Sequence, residues 1–341
     1  MRSAGSNHIF EQAAGFPPAI RPPHCRLRTA GNPSAHTPDG PAIGYKISSD
    51  RPTSADRSAP SSGPSQAFNP ARRATRSVAA TGGRVGAAGE VAGVVVTHGT
   101  DTMAESAYYL DAGLDPDTPV VFTGAQRRPD EVGADGPANL RTAVAAATHP
   151  ELRDAGGVHL AFNEELHAAR DVVKAHSSKL ETFTSPGKGP VAVRTRRGFR
   201  FFREPGSRST HVPGLDSDAT VVTVTSGLGV GGGPVERLVD EVDGLVVAGT
   251  GLGNVTPGLA DAVDRALDDG LPVVIASRCH AGGVDGVYGT TGGGKRLAER
   301  GVLPADDLPP WKARLKLLLA LEAADEPAGV AEFFTGRDAA V

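Results

Sequence analysis

"VVVTHGTDTMAESAYYLD", residues 94–111, runs from a β-branched apolar stretch through a short polar turn into a helix-forming stretch. Consecutive valines without alternation read as a strand buried on both faces, the pattern of a parallel sheet. "TMAESAYYLDAG" (102–113) has helical spacing, and a strand leading directly into a helix is the repeating unit of α/β folds. His98-Gly99 supplies the tight turn, and Thr100 and Asp101 sit at its end. Ligands of open α/β sheets bind beyond the carboxyl ends of the strands, where this hydroxyl and carboxylate fall. The position also has a purely structural reading. "TMAE" (102–105) fits a capping box, with the Thr102 hydroxyl on the helix N-terminus and Glu105 reaching back. A helix N-terminus attracts anions, so a carboxylate ligand suits the same place.

Outward from this stretch the alternation continues. "VAGVVVT" (91–97) and "DTPVVFTGA" (117–125) read as strands, "GPANLRTAVAAATH" (136–149) as a helix with Pro137 in its first turn, and "GPVAVRTRRGFRFF" (189–202) as a hairpin. "REPGSRSTHVPGLDSD" (203–218) has linker composition. A second alternation follows: strands at "ATVVTVTSG", "DGLVVAGTGLGN" and "LPVVIASRC", helices at "GPVERLVDEV" and "PGLADAVDRALDDG", and a closing amphipathic helix at "PPWKARLKLLLALEAA" (309–324). The expected fold class is therefore α/β, with two parallel-sheet domains, 87–203 and 218–341, joined by a linker.

Residues 1–86 have a different character. The first 90 residues contain one Leu, two Val, four Ile and three Phe, and 11 of the 27 prolines. That apolar content lies well under the roughly 20% below which a chain buries too little to offset its conformational entropy. The expectation for 1–86 is a disordered, low-complexity segment. Its basic residues are scattered among Pro and Ser, unlike a clustered nucleic-acid tail.

Composition excludes several function classes. The net charge of −4 divides into +6 over residues 1–90 (11 Lys+Arg, 5 Asp+Glu) and −10 over 91–341 (24 and 34). An acidic body disfavours a phosphate-binding surface, so no nucleic-acid partner is expected. Two cysteines, Cys25 and Cys279, provide neither a disulfide framework nor a cysteine-rich metal site. No run of eighteen apolar residues occurs, and the first thirty residues lack a signal-peptide h-region, so a cytoplasmic protein with no membrane partner is expected. His98 and His280 are not at metal-ligand spacing, and "GTGLGN" lacks the dinucleotide pattern and a P-loop lysine. No metal and no cofactor are expected.

"THGTDTMAESAYYLD" resembles the second signature of the bacterial-type L-asparaginase (asparaginase/glutaminase) family. The resemblance continues through "VVFTGAQRRPDEVGADGPANL" (120–140), "ARDVVKAHSSKLETFTSP" (169–186), "VVAGTGLGNV" (246–255) and "GVLPADDLPPWKARLKLLLAL" (301–321), covering residues 91 to about 335. It implies an amidohydrolase that releases ammonia from L-asparagine, and possession of three acting residues: Thr100, Asp101 and Lys174. A hydroxyl is a poor nucleophile at its free pKa, so Thr100, or a water it holds, needs a base; a lysine desolvated in a closed pocket can be that base. The resemblance further implies that Asp101 holds the substrate's α-amino group, that Gly99 belongs to the binding turn, and that Ala125 offers a backbone contact to the scissile amide. Asn254 matches a residue that reaches a neighbouring subunit's site, so a homodimer or homotetramer is expected, with a small-molecule amide (asparagine or glutamine) as substrate.

The family's first signature is a strand followed by Thr-Gly-Gly-Thr-Ile, whose second Thr forms the covalent intermediate. The nearest stretch is "AATGGRVGA" (79–87), with Arg84 in that Thr's place and only 100 − 84 = 16 positions before Thr100. The nucleophile, lid and first strands are expected to be missing, as a frame-shifted or misassigned coding start would produce. A Thr-Gly-Gly-Thr-Ile in another frame upstream of codon 91 would reveal it. Two other readings stay open: a non-catalytic asparaginase-like chain, and the amidase subunit of glutamyl-tRNA(Gln) amidotransferase.

Overall fold

The computed structural model describes residues 27–29, 42–47 and 91–334. Strands are numbered in chain order: β1 (Leu27–Thr29), β2 (Ala42–Ile47), β3 (Val91–Thr97), β4 (Val120–Thr123), β5 (Val158–Phe162), β6 (Glu165–Ala168), β7 (Val173–Lys174), β8 (Phe183–Thr184), β9 (Ala192–Thr195), β10 (Gly198–Phe201), β11 (Val221–Thr225), β12 (Gly244–Gly249), β13 (Val273–Ser277) and β14 (Leu303–Pro304). An eight-stranded sheet has the order β1-β2-β3-β4-β5-β6-β9-β10, a four-stranded sheet the order β11-β12-β13-β14, and β7 pairs with β8 alone.

The smaller sheet is parallel throughout. In the larger one β1 to β5 are parallel, while β6, β9 and β10 are each antiparallel to a neighbour. The chain is thus α/β with parallel sheets, and the predicted hairpin at 189–202 adds a mixed flank to the first.

Period-two alternation assigns the faces. On β3, Val94 and Val96 pack with Met103, Ala104, Ala107 and Leu110 of the helix Met103–Leu114. Val95 points to the opposite face, where Ala143, Ala146 and Ala147 of the helix Gly136–Ala147 cover it. On the second sheet, Leu245, Val247, Val273 and Ile275 pack under Leu259, Ala260 and Val263 of the helix Pro257–Asp268. The last cluster joins the halves: Tyr108, Tyr109 and Ala112 of the first helix meet Val246 and Val274 of the second sheet and Ala313, Leu315 and Leu317 of the helix Pro310–Ala323.

Two expectations, both on helices, are corrected below. Strands β1 and β2 lie inside 1–86, and β2 pairs in parallel with β3. Ile43, Tyr45 and Ile47 alternate as strand formers, a local signal that an average over ninety residues hides. The other residues of 1–86 lie outside the described residues, as does the Thr81-Gly82-Gly83 echo. The helix expected at "GPVERLVDEV" is reduced to Gly233–Glu236 and a 3-10 turn, Val239–Glu241; only Val235 is buried there, too little packing to carry a longer helix. The closing helix does not present one apolar face: Lys312, Ala313, Leu315, Lys316, Leu317, Leu319 and Ala320 are all buried.

Candidate active site

Strand β3 ends at Thr97, and the backbone N–H of His98 donates to Thr123 at the end of β4, 2.9 Å away, so the two strand ends enter their turns side by side. Gly124 permits this approach: a Cβ there would stand 2.4 Å from the His98 carbonyl oxygen and 2.6 Å from Met103 Cε. The His98 ring is hydrogen-bonded at Nδ1 to the Gly99 carbonyl (2.7 Å) and at Nε2 to the Ser106 hydroxyl (3.1 Å). A carbonyl only accepts, so Nδ1 carries the proton and Nε2 accepts from Ser106. His98 is thus the brace of the turn.

Thr100 and Asp101 follow, with Asp101 almost fully exposed (94%). Lys174 arrives from β7, 73 residues further along the chain, and donates to both: Nζ lies 2.9 Å from Thr100 Oγ1 and 2.6 Å from Asp101 Oδ1. The structure therefore brings together the three residues singled out from the sequence. It does not form the capping box: Thr102 makes no side-chain cap hydrogen bond. Glu105 faces the closing helix instead; burial raises its carboxyl, opposed by Arg314 and Lys312.

Ala125 is exposed on the turn after β4, and two residues that sequence reasoning missed hold that turn. The Asp135 carboxylate accepts from the backbone N–H groups of Gln126 and Arg127 (2.9–3.1 Å). Asn139 donates to the Gly124 carbonyl at 3.0 Å and to Asp135 at 2.9 Å, and accepts from Asn163 N–H at 2.9 Å. The Gln126 side chain reaches across to the Ser177 carbonyl at 2.7 Å, tying this turn to the segment that carries Lys174. "DGPANL" could have shown this, since an Asp and an Asn four apart share one helix face. Asn254 lies in the second half, where its carbonyl accepts from Thr250 and its side-chain oxygen accepts from Gly294 N–H at 3.2 Å. Both of these contacts stay within that half.

Beneath Lys174 the chain turns over Ala169–Val172, and this turn is held by charges. Asp171, almost wholly buried, is ion-paired with Lys188 (3.0 Å) and Arg203 (2.8 Å). Burial alone would raise its carboxyl, but Lys188 and Arg203 outweigh burial and hold it below its ordinary value. Arg170 pairs with Asp307 at 2.7 Å, and Lys188 pairs with Asp307 as well, so the network crosses to the second half. A cavity of about 470 Å³ opens beside this junction, lined by Asp171, Val173, Lys188, Arg278, Asp307 and Arg314 among others. Thr100, Asp101 and Lys174 do not line it. Among the described residues, no group of three or more His, Cys, Asp or Glu could hold a metal ion, and no helix is long and apolar enough to cross a membrane.

Residues 71–206 match the family model described as Asparaginase, N-terminal, and residues 220–334 that of the Glutaminase/Asparaginase C-terminal domain. The chain belongs to the asparaginase family. The first of these matches begins ahead of Thr81-Gly82-Gly83 and so includes it. The L-asparaginase of Bacillus licheniformis is 35% identical over 236 residues, 69% of this chain and 72% of that protein. A glutamyl-tRNA(Gln) amidotransferase subunit of Methanothermobacter thermautotrophicus is 34% identical over 244 residues, 69% of this chain and 55% of that protein. Among asparaginase structures, one described as a probable cytoplasmic L-asparaginase from Campylobacter jejuni superposes with a TM-score of 0.66 at 33% identity, covering 77% of this chain and 79% of that one.

Proposed function

We propose that the chain is an L-asparaginase-type amidohydrolase that converts L-asparagine to L-aspartate and ammonia. The observation that carries this reading is the convergence of Lys174 Nζ on Thr100 Oγ1 and Asp101 Oδ1 at 2.9 and 2.6 Å. In its neutral form Lys174 takes the proton of Thr100, or of a water that Thr100 holds, while still donating to Asp101. The oxygen so activated adds to the side-chain amide carbon, and the proton passes to the departing nitrogen, which leaves as ammonia; where that oxygen is Thr100 Oγ1, a water activated in the same way then cleaves the ester, returning the proton to Thr100 and freeing L-aspartate. Asp101, open to solvent, receives the substrate's α-amino group, and the turn at Gly99 and Ala125 offers backbone groups to the bound amide. The relatives named L-asparaginase support the substrate, and the family resemblance at Asn254 supports a homo-oligomer whose sites are shared between subunits. A cytoplasmic setting is supported by the description of the Campylobacter jejuni protein alone.

Arg84, in the place of the first-signature Thr, favours a much reduced turnover in this polypeptide. Proximity and exclusion of water supply several kcal/mol of such a barrier, and a site without its covalent nucleophile and lid forgoes much of that. The test is ammonia release from L-asparagine by the 341-residue chain beside a version with a Thr-Gly-Gly-Thr-Ile segment and lid in place of residues 1–90. The expected result is a small fraction of the restored version's rate. Equal rates would assign a nucleophile to residues 1–90, with Thr81 the first to mutate; no release by either would refute the reading. A second reading, an amidase component of a tRNA-dependent amidotransferase, rests on the similarity to the Methanothermobacter protein, and release that requires a partner and tRNA would select it.

A further inference from the structure

Lys312 is the most completely enclosed charged residue of the closing helix, with no exposed surface, and the proposed reaction does not use it. Its ammonium is placed at the open end of the turn that delivers Lys174. Asp171 N–H and Val172 N–H both donate to the Ala168 carbonyl, making a single helix-like turn. The carbonyls that follow are those of Ala169, Arg170, Asp171 and Val172. Lys312 Nζ donates to three of those carbonyls: Ala169 at 2.8 Å, Arg170 at 2.8 Å and Val172 at 2.6 Å. Three N–H donors meet three acceptors, the full capacity of an ammonium. Carbonyls converging at the end of such a turn present partial negative charge, and a cation there both completes and orients them. The next residue, Val173, begins β7, and Lys174 after it reaches Thr100 and Asp101.

We propose that Lys312 is a positioning residue for Lys174: by capping the Ala169–Val172 turn from the second half of the chain, it fixes the direction in which β7 leaves that turn and so the aim of the Lys174 amine. This inference rests on the reading of Lys174 as the base, and it adds that part of the support for that base comes from the closing helix. Other groups contribute to the turn's stability, since Asp171, Lys188, Arg203, Arg170 and Asp307 form an ion-pair network around it. They hold side chains, however, whereas Lys312 holds the backbone itself. The Tyr108 ring, 5.5 Å from Nζ, fixes the ammonium from the side of the first helix.

The experiment reads the accessibility of Lys174 separately from turnover. The 341-residue chain and its K312M and K312R variants are reductively methylated with formaldehyde and cyanoborohydride. Mass spectrometry then gives the labelling rate of Lys174 relative to Lys316, a buried lysine of the same helix whose own contacts are with Thr210 and the Phe334 ring. Met keeps the length of Lys without a donor; Arg keeps charge and donors but cannot serve three carbonyls from one atom. The expected result is a rise in the Lys174-to-Lys316 ratio of at least fivefold in K312M and a smaller rise in K312R. General loosening would raise both lysines together and leave the ratio unchanged, which overturns the proposal. If K312M does not fold, K312R against the unaltered chain decides by the same ratio. In the version with the first signature restored, K312M is expected to lower kcat about tenfold or more with KM changed less than threefold, and K312R to recover part of the loss. A changed ratio with no hydrolysis by any protein would retain the positioning role and refute the asparaginase reading. An unchanged ratio in an active enzyme would do the reverse.

Discussion

The turn after β3 and the junction beneath Lys174 both gather charged groups around the same few residues of chain, yet they differ in nearly every physical respect. At the turn, Asp101 is 94% exposed and Lys174 16%, and they share one contact of 2.6 Å. At the junction, Asp171 is 2% exposed and ion-paired with two cations, and Lys312 is wholly enclosed against three carbonyls. An exposed ion pair contributes about 0–1 kcal/mol to stability, whereas removing one partner of a buried pair costs about 3–5 kcal/mol. The difference separates a pair with one partner in solvent from a sealed scaffold: the carboxylate proposed to meet substrate is open, and the groups beneath it are enclosed.

That separation can be broken most directly at the open turn. In a version carrying the restored first signature, Thr100→Ala, Asp101→Ala and Lys174→Ala should each lower kcat about a hundredfold or more, with thermal midpoints within about a degree or two of the parent. Thr100→Ser should retain more activity than Thr100→Ala. Near-normal turnover in Lys174→Ala would move the base elsewhere.

At the junction the expectation is inverted. Asp171→Asn takes the ion-pair partner from Arg203 and leaves Lys188 with Asp307 alone, and should cost about 3 kcal/mol of unfolding free energy, read from urea midpoints. A loss below about 1 kcal/mol would mean that water already reaches the pair, and the contrast with Asp101 would collapse.

Two buried basic groups sharpen the comparison through pH. Burial holds the His159 ring at about 4, against its hydrogen bond to the Pro205 carbonyl. Between about pH 6.5 and 4 the unfolded chain binds a proton that the folded chain does not, so stability falls as pH falls through that window, by roughly 3 kcal/mol at its lower end. His159→Gln should flatten this slope. Burial likewise pushes Lys312 down to about 7, with Asp171 opposing. Its folding penalty is full below about pH 7 and fades as pH rises toward about 10.4, so this group alone makes the chain more stable in mild alkali. K312M should remove that upward slope, and urea midpoints across about pH 6–10 measure it.

The smallest effect concerns the cap that did not form. Thr102→Ala should change stability by less than about 0.5 kcal/mol, against about 1 kcal/mol for a working N-cap. A larger loss would restore the capping box read from "TMAE".

The open turn was legible in the sequence because its signals are local: a valine run, a Gly turn, and a hydroxyl and carboxylate before a helix. Lys174 was legible only through family resemblance, since the 73 positions between it and Asp101 are closed by the fold. Lys312 was missed because a lysine in a helical pattern reads as solvated. The signal was there in "LKLLLAL" (315–321), where leucines occupy every side of the helix and leave no wet face. Strands β1 and β2 escaped notice for a different reason: composition judged over ninety residues cannot register nine that pair with a sheet edge.

The dependence of the first half on Lys312 also sets an order of events during synthesis. Lys312 is made 312 − 174 = 138 residues after Lys174, and a ribosome adding about 5–20 residues per second needs roughly 7–28 s for that interval. Throughout it the Ala169–Val172 carbonyls face water, and Tyr108 and Tyr109 have no closing helix to cover them. The nascent chain therefore carries a sticky, unfinished surface until the helix Pro310–Ala323 clears the exit tunnel, and a chaperone that shields aromatic surface has its natural window there.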